Sequence, residues 1–197
     1  MRKPKQIYSR TAILGLLFLY AASVFAHDGV HTVMGFADGL AHPFSGLDHL
    51  LAMLGIGLWV AQNRRSALWV LPIAFPLMMV LGAALATMGL TMSFVELGIA
   101  GSVAVLGLLI AFAVRMPVWA AAILVSLFGM FHGYAHGVEM PRDATLGMFG
   151  LGFVLATLLL HLTGVAIGLL ARHPRALSAV RLGGVGIAAV GMYLLAA

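Results

Sequence analysis

The stretch PVWAAAILVSLFGMFHGYAHG, residues 117–137, contains no aspartate, glutamate, lysine or arginine. At a rise of about 1.5 Å per residue, a helix of this length spans the roughly 30 Å of a bilayer's hydrocarbon core. Working outward, further apolar segments of similar length lie near 44–62, 66–88 and 93–114 on one side and near 145–171 and 178–196 on the other. Short polar or turn-forming breaks separate them: Asn63-Arg64-Arg65, Gly89 to Met92, Arg115-Met116-Pro117, Glu139 to Asp143, and Arg172-His173-Pro174-Arg175. Composition agrees, since 62% of the chain is hydrophobic and only 9% charged, against about a quarter charged in soluble domains. Mean hydropathy is +1.08. The expected fold is an all-α integral membrane protein, a bundle of six transmembrane helices.

The charge distribution sets the orientation. Of a formal net charge of +5, Arg2, Lys3, Lys5 and Arg10 lie in the first ten residues, leaving seven arginines against six acids, a net of +1. No basic patch remains to hold a phosphate backbone, so no nucleic-acid partner is expected. The basic start, the apolar run Thr11 to Tyr20 and the small residues around Val24-Phe25-Ala26 predict a cleavable signal peptide over 1–26. The mature chain, 27–197, then begins outside with His27. Alternating crossings put Arg64, Arg65, Arg115, Arg172, Arg175 and Arg181 on the cytoplasmic side and only Arg142 outside, as the positive-inside rule requires. Both mature ends are expected outside. The chain has no cysteine, which excludes disulfides and thiolate metal sites.

Two stretches concentrate the polar chemistry. His42-Pro43-Phe44-Ser45-Gly46-Leu47-Asp48-His49 and Phe131-His132-Gly133-Tyr134-Ala135-His136-Gly137-Val138-Glu139 hold four of the eight histidines and two of the six acids. Such side chains are costly in hydrocarbon and point to function, and imidazole with carboxylate suits a borderline divalent transition metal. His42 and Pro43 stand at the start of the first helix, with Asp48 and His49 about 8 Å deeper by the helical rise. The fourth helix runs the other way, so His132, His136 and Glu139 fall at similar depth in the outer leaflet, and Glu96 enters the third helix in the same layer. His132, His136 and Glu139 follow an i, i+4, i+7 spacing and share one helical face. Gly129, Gly133 and Gly137 form a neighbouring face that admits close helix packing. A crossing of that face with the first helix would join the two motifs. The candidate ligands are His42, Asp48, His49, His136 and Glu139, with His132 and Glu96 as further candidates. His161 is expected to be a core histidine hydrogen-bonded to a neighbouring helix, and among the methionines only Met53, one turn beyond His49, is placed near the motifs. His27 and His31, at the mature end, are balanced between a metal-capturing segment and a plain tether.

The two motifs, His42 with Asp48-His49 and Phe131-His132-Gly133 with Ala135-His136-Gly137 and Glu139, resemble the signatures of the HupE/UreJ family of nickel and cobalt permeases. The cleavable start and six helices are similar to that family too. The resemblance implies uptake of nickel or cobalt across a bacterial inner membrane, with mature termini in the periplasm and cargo destined for nickel enzymes such as hydrogenase or urease. It implies that His42, Asp48, His49, His136 and Glu139 matter most, with His132 in the same signature. The metal is cargo, so no prosthetic group and no enzymatic activity are expected. The mature chain has no lysine and hence no Walker-type phosphate loop, which leaves membrane potential, ion coupling or a partner as the driving force. A membrane-embedded zinc-dependent hydrolase using the same residues is the alternative. A bis-histidine haem at His49 and His136 fits poorly with carboxylates beside both motifs.

Overall fold

The computed structural model describes residues 35–63, 67–140, 146–171 and 174–197. The expected signal peptide, His27, His31, Arg64, Arg65, Arg142, Arg172 and His173 lie outside the described residues. The described elements are helix α1 (Phe36–Ala41), a 3₁₀ turn (His42–Phe44), α2 (Leu47–Gln62), α3 (Ala67–Thr87), α4 (Val95–Ala111), α5 (Val118–Glu139), α6 (Leu146–Leu170) and α7 (Pro174–Ala196). Among the described residues there is no strand. Helices α3, α5, α6 and α7 are long and apolar enough to cross a membrane, and Phe36–Phe44 with Leu47–Gln62 add a fifth span if that bent pair is counted as one. Helix α4 has 17 residues, the lower limit for a crossing. These helices fit a multi-pass membrane protein.

The first apolar segment departs from the single helix expected from residue 44. Phe36–Phe44 and Leu47–Gln62 meet at 83°. Pro43 has no amide to continue the hydrogen-bond ladder of α1. The chain instead closes a 3₁₀ turn with the Ser45 amide on the His42 carbonyl at 3.0 Å, reinforced by the Ser45 hydroxyl at 2.6 Å. Gly46 then adopts an extended conformation, φ −110° and ψ 132°, from which α2 starts. His42 is thereby carried on its own turn, off the axis of α2.

Helices in lipid have no hydrophobic drive toward one another, so they associate by close van der Waals packing at small residues. A Cβ on Gly129, Gly133 or Gly137 would strike the backbone of Phe75, Met79 or Ala83 respectively. This glycine row therefore seats α3, not the first helix, which corrects the crossing expected from sequence. The other major pairings use the same device: Gly107, Gly184 and Gly191 between α4 and α7, and Gly57 with Gly164 between α2 and α6. The large side chains in the middle of the bundle, among them Met53, Ile56, Trp59, Leu71, Phe75 and Leu106, are fully buried.

The end of the bundle away from the two motifs is tied by side chains that reach backbone carbonyls. Trp59 Nε1 donates to Val114 at 2.8 Å, Gln62 Nε2 to Ile110 at 3.2 Å and Arg181 Nε to Ala111 at 2.7 Å. Asn63 donates to the Trp59 carbonyl at 2.9 Å and accepts from the Met116 amide at 3.1 Å. The amides of Phe112, Val114 and Ala113 close the end of α4 on the carbonyls of Leu108, Leu109 and Ile110, and the Arg181 cation on Ala111 also meets the negative end of the helix dipole. Gly133→Ala should lower stability by about 1–3 kcal/mol, the usual penalty for overpacking. A Cβ at Gly101 meets nothing within 4 Å, so Gly101→Ala should be neutral or slightly stabilising. Thermal unfolding of both variants in detergent checks this, and equal midpoints would refute backbone contact between α3 and α5.

Candidate metal centre

The site is assembled at the end of the bundle where α2 begins and α5 ends. Helix α1 lies on α6 so closely that a Cβ at Gly39 would strike the Phe149 backbone and one at Gly152 the Phe36 carbonyl. Asp38 Oδ2 accepts the Gly35 amide at 2.8 Å, fixing the first turn. That seat presents His42 to the last turns of α5. His42 Nε2 is 3.0 Å from His136 Nδ1, and Glu139 Oε2 is 3.9 Å from the former and 3.7 Å from the latter. One ligand atom from each lies within 4.8 Å of the others, the one such triple among the described residues. His136 is buried, His42 half-buried and Glu139 exposed, so the group is anchored in protein and open toward solvent through its carboxylate.

These distances suit a cation. Two nitrogens each about 2.0–2.1 Å from one metal, at angles near 90–109°, are separated by about 2.9–3.4 Å. The observed 3.0 Å between His42 and His136 falls in that range, and a modest rotation of the exposed Glu139 side chain would bring its oxygen to the same point. Two imidazoles and one carboxylate leave coordination positions for water or a further donor, a set that suits zinc, nickel, cobalt or copper better than calcium or magnesium.

Behind this triple stands a second layer of imidazoles. The His49 ring lies 4.3 Å from that of His136, 5.5 Å from His132 and 6.5 Å from His42, centroid to centroid. His49 Nδ1 is 2.8 Å from Asp48 Oδ1. A carboxylate there accepts a hydrogen bond from Nδ1–H and so leaves the lone pair on Nε2, as in carboxylate–histidine–metal arrangements. His132 is fully buried, and its Nδ1–H donates to the Phe128 carbonyl at 2.9 Å, with the same consequence for Nε2. The Nε2 atoms of His49, His132 and His136 are all buried without a hydrogen-bond partner. A buried polar atom left unmet costs about 1–3 kcal/mol, so three neighbouring ones make a donor set in want of a ligand.

The remaining sequence candidates are distributed differently. Asp48 is turned to His49 rather than to the His42–His136–Glu139 triple. Glu96 is exposed at the start of α4 and shares a cavity of about 230 Å³ with Asp48, Ile99 and Leu194, apart from the triple. Met53 is fully buried and its sulfur accepts the Thr157 hydroxyl at 3.5 Å. His161 is fully buried and its ring lies against the backbone of Pro72 on α3, the neighbouring-helix contact expected of it. Sequence reading missed the aromatic wall. Phe149 and Phe153 lie 5.6 and 5.7 Å from His42, Phe153 lies 4.5 Å from His136, and Phe75 lies 5.6 Å from His132. The i, i+4 spacing of Phe149 and Phe153 beside Gly152 was the available signal.

The model of the family described as HupE / UreJ protein matches residues 15–194 of the chain. The protein HupE of Rhizobium leguminosarum bv. viciae is 40% identical over 170 residues, which cover 86% of this chain and 88% of that one. No solved structure matches the chain.

Asp48→Asn keeps the shape of the side chain but weakens its hold on the His49 proton. Divalent-metal affinity of the purified protein, measured by equilibrium dialysis with nickel, should fall about 10–100-fold, as for other partners that orient metal-binding histidines. The exposed Thr163→Val on α6 serves as the control. Unchanged affinity in Asp48→Asn would mean that this carboxylate does not tune the site.

Proposed function

The chain belongs to the HupE/UreJ family, a family of metal transporters, and from that membership we propose that it carries nickel or cobalt inward across a bacterial inner membrane. The observation that carries this reading is the meeting of two motifs 94 residues apart at His42 and His136, with Glu139 beside them. The ligands are His42, Asp48, His49, His136 and Glu139, with Asp48 acting through the His49 ring, and His132 stands next inward. Glu96, beside Asp48 in the adjoining cavity, is an accessory carboxylate. The cargo metal serves nickel enzymes such as hydrogenase or urease. The comparisons lend no support to an embedded hydrolase.

Six crossings follow if the bent pair α1 and α2 forms one span and α4 another, after removal of a signal peptide over 1–26. The capture site then faces the periplasm, as do both mature termini. A divalent cation entering a negative interior gains about 2.3 kcal/mol per charge per 100 mV, hence about 4.6 kcal/mol, enough for accumulation on the order of a thousandfold. Membrane potential alone is therefore an adequate driving force, with no nucleotide hydrolysis.

In proteoliposomes with an inside-negative potential, wild-type protein should accumulate nickel and cobalt. Alanine at His42, His49, His136 or Glu139 should reduce uptake at limiting metal by about tenfold or more, since each removes a donor, while membrane insertion is unchanged. Normal uptake by these variants at limiting metal would make the motifs structural and refute the reading. Orientation is checked separately: reporters fused after Arg65, Arg115 or Arg175 should be cytoplasmic, one inserted near Arg142 periplasmic, and the mature protein should begin at His27. Inverted reporters would put the site on the wrong face for capture.

A further inference from the structure

The end of the bundle opposite the two motifs carries positive charge that the chain itself does not balance. Arg115, Arg175 and Arg181 belong to that end, and all four acids among the described residues, Asp38, Asp48, Glu96 and Glu139, belong to the other. Stretches 49–95, 97–138 and 144–197 of the sequence contain no aspartate or glutamate. Among the described residues none of these three arginines pairs with a carboxylate. Trp69 and Trp119, 74% and 69% exposed in the first turns of α3 and α5, stand at the same end, as the aromatic residues of a membrane–water boundary do.

Arg181 is set deepest of the three. It lies seven residues into α7 from Pro174, about 10 Å along the helix. Its Nε–H donates to the Ala111 carbonyl at 2.7 Å, which fixes the guanidinium at the mouth of a cleft between α4 and α7. The cleft has a volume of about 550 Å³, and Leu108, Phe112, Leu182 and Val185 form most of its apolar lining. All four of these side chains are exposed. Because α7 starts at this end, Leu182 and Val185 continue inward from Arg181, and Leu108 lies beside them on the last turns of α4. A cation at the boundary thus heads an apolar trough that runs into the hydrocarbon.

We propose that this cleft binds one anionic phospholipid, with its phosphodiester on the Arg181 guanidinium and an acyl chain along Leu182, Val185 and Leu108. In the orientation proposed above, the lipid comes from the cytoplasmic leaflet. Charge complementarity decides the occupant. A guanidinium at this depth is costly without an anion, its planar fork matches phosphate oxygens, and the chain supplies no carboxylate at this end. A second copy would not supply one either, since a twofold contact through this face sets arginine against arginine. Basic pockets between transmembrane helices on the cytoplasmic side suit lipid headgroups for the same reason. The seated lipid bridges α4 and α7 beside the glycine contacts of Gly107, Gly184 and Gly191. None of this depends on what the site at the other end carries.

The test is a titration of the full chain in detergent with phosphatidylglycerol or phosphatidylcholine, with bound lipid read by native mass spectrometry. Phosphatidylglycerol should bind about fivefold or more tighter than phosphatidylcholine. Arg181→Gln keeps an amide able to reach Ala111 but removes the charge, and should weaken phosphatidylglycerol about tenfold or more. Val185→Trp, which fills the trough and leaves Arg181 in place, should weaken it about fivefold or more. Arg115→Gln, outside the cleft, should stay within about twofold of wild type. Equal binding of the two lipids would overturn the proposal. An equal loss in Arg115→Gln and Arg181→Gln would overturn it too, by reducing the effect to diffuse charge. Displacement of the lipid by inorganic phosphate would make the site one for a soluble anion, and a lipid-free dimer would give the face to a second copy; either result refutes the lipid site. Should Arg181→Gln fail to fold, Val185→Trp decides by itself, and full lipid affinity in that variant refutes the trough.

Discussion

Lipid offers no reward for burying one apolar helix against another, so this bundle depends on helices close enough for their backbones to touch. Glycine provides that contact at each major pairing, most fully where Gly129, Gly133 and Gly137 receive α3. The same helix carries the site. With glycines on the face turned to α3, His132 and His136 occupy the adjoining stripe and face the ring-lined space among α2, α3 and α6. The packing face and the chemical face are two stripes of one helix, and neither can rotate without displacing the other.

A second constraint is that polar groups within the bundle must find partners inside the protein. At the end bearing Arg181 most such groups are met: Trp59, Gln62 Nε2, Asn63 and Arg181 reach carbonyls and an amide around the end of α4, with Gln62 Oε1 left unmet. At the other end the rule is suspended. The unmet imidazole nitrogens of His49, His132 and His136 gather around the candidate site.

Charge follows the same polarity. Asp38, Asp48, Glu96 and Glu139 cluster at the end bearing the motifs, and Arg115, Arg175 and Arg181 lie at the other. The Glu139 carboxylate is exposed at that end, with the buried imidazoles of His136 and His132 beneath it. The aromatic rings of Phe149, Phe153 and Phe75 keep the walls apolar, which strengthens every electrostatic interaction between them.

The sequence alone determined that the chain is helical and apolar enough for a bilayer, because hydrocarbon thickness dictates segment length and charge content. It also singled out the candidates for chemistry, since His42, Asp48, His49, His132, His136 and Glu139 are conspicuous against so apolar a background, and the i, i+4, i+7 spacing put three of them on one face. Periodicity names a face but not its neighbour. The glycine row of α5 was equally compatible with α2 and α3, and only the tertiary packing chose α3. The 83° bend that carries His42 to His136 arises from Pro43 and Gly46 acting together with the seat of Gly39 on α6, a contact more than a hundred residues away in the chain. Whether Asp48 meets an ion or a histidine, and whether the nitrogens of His161 are partnered, depends on which side chains from other helices arrive within 3 Å. That information exists only in the packed bundle.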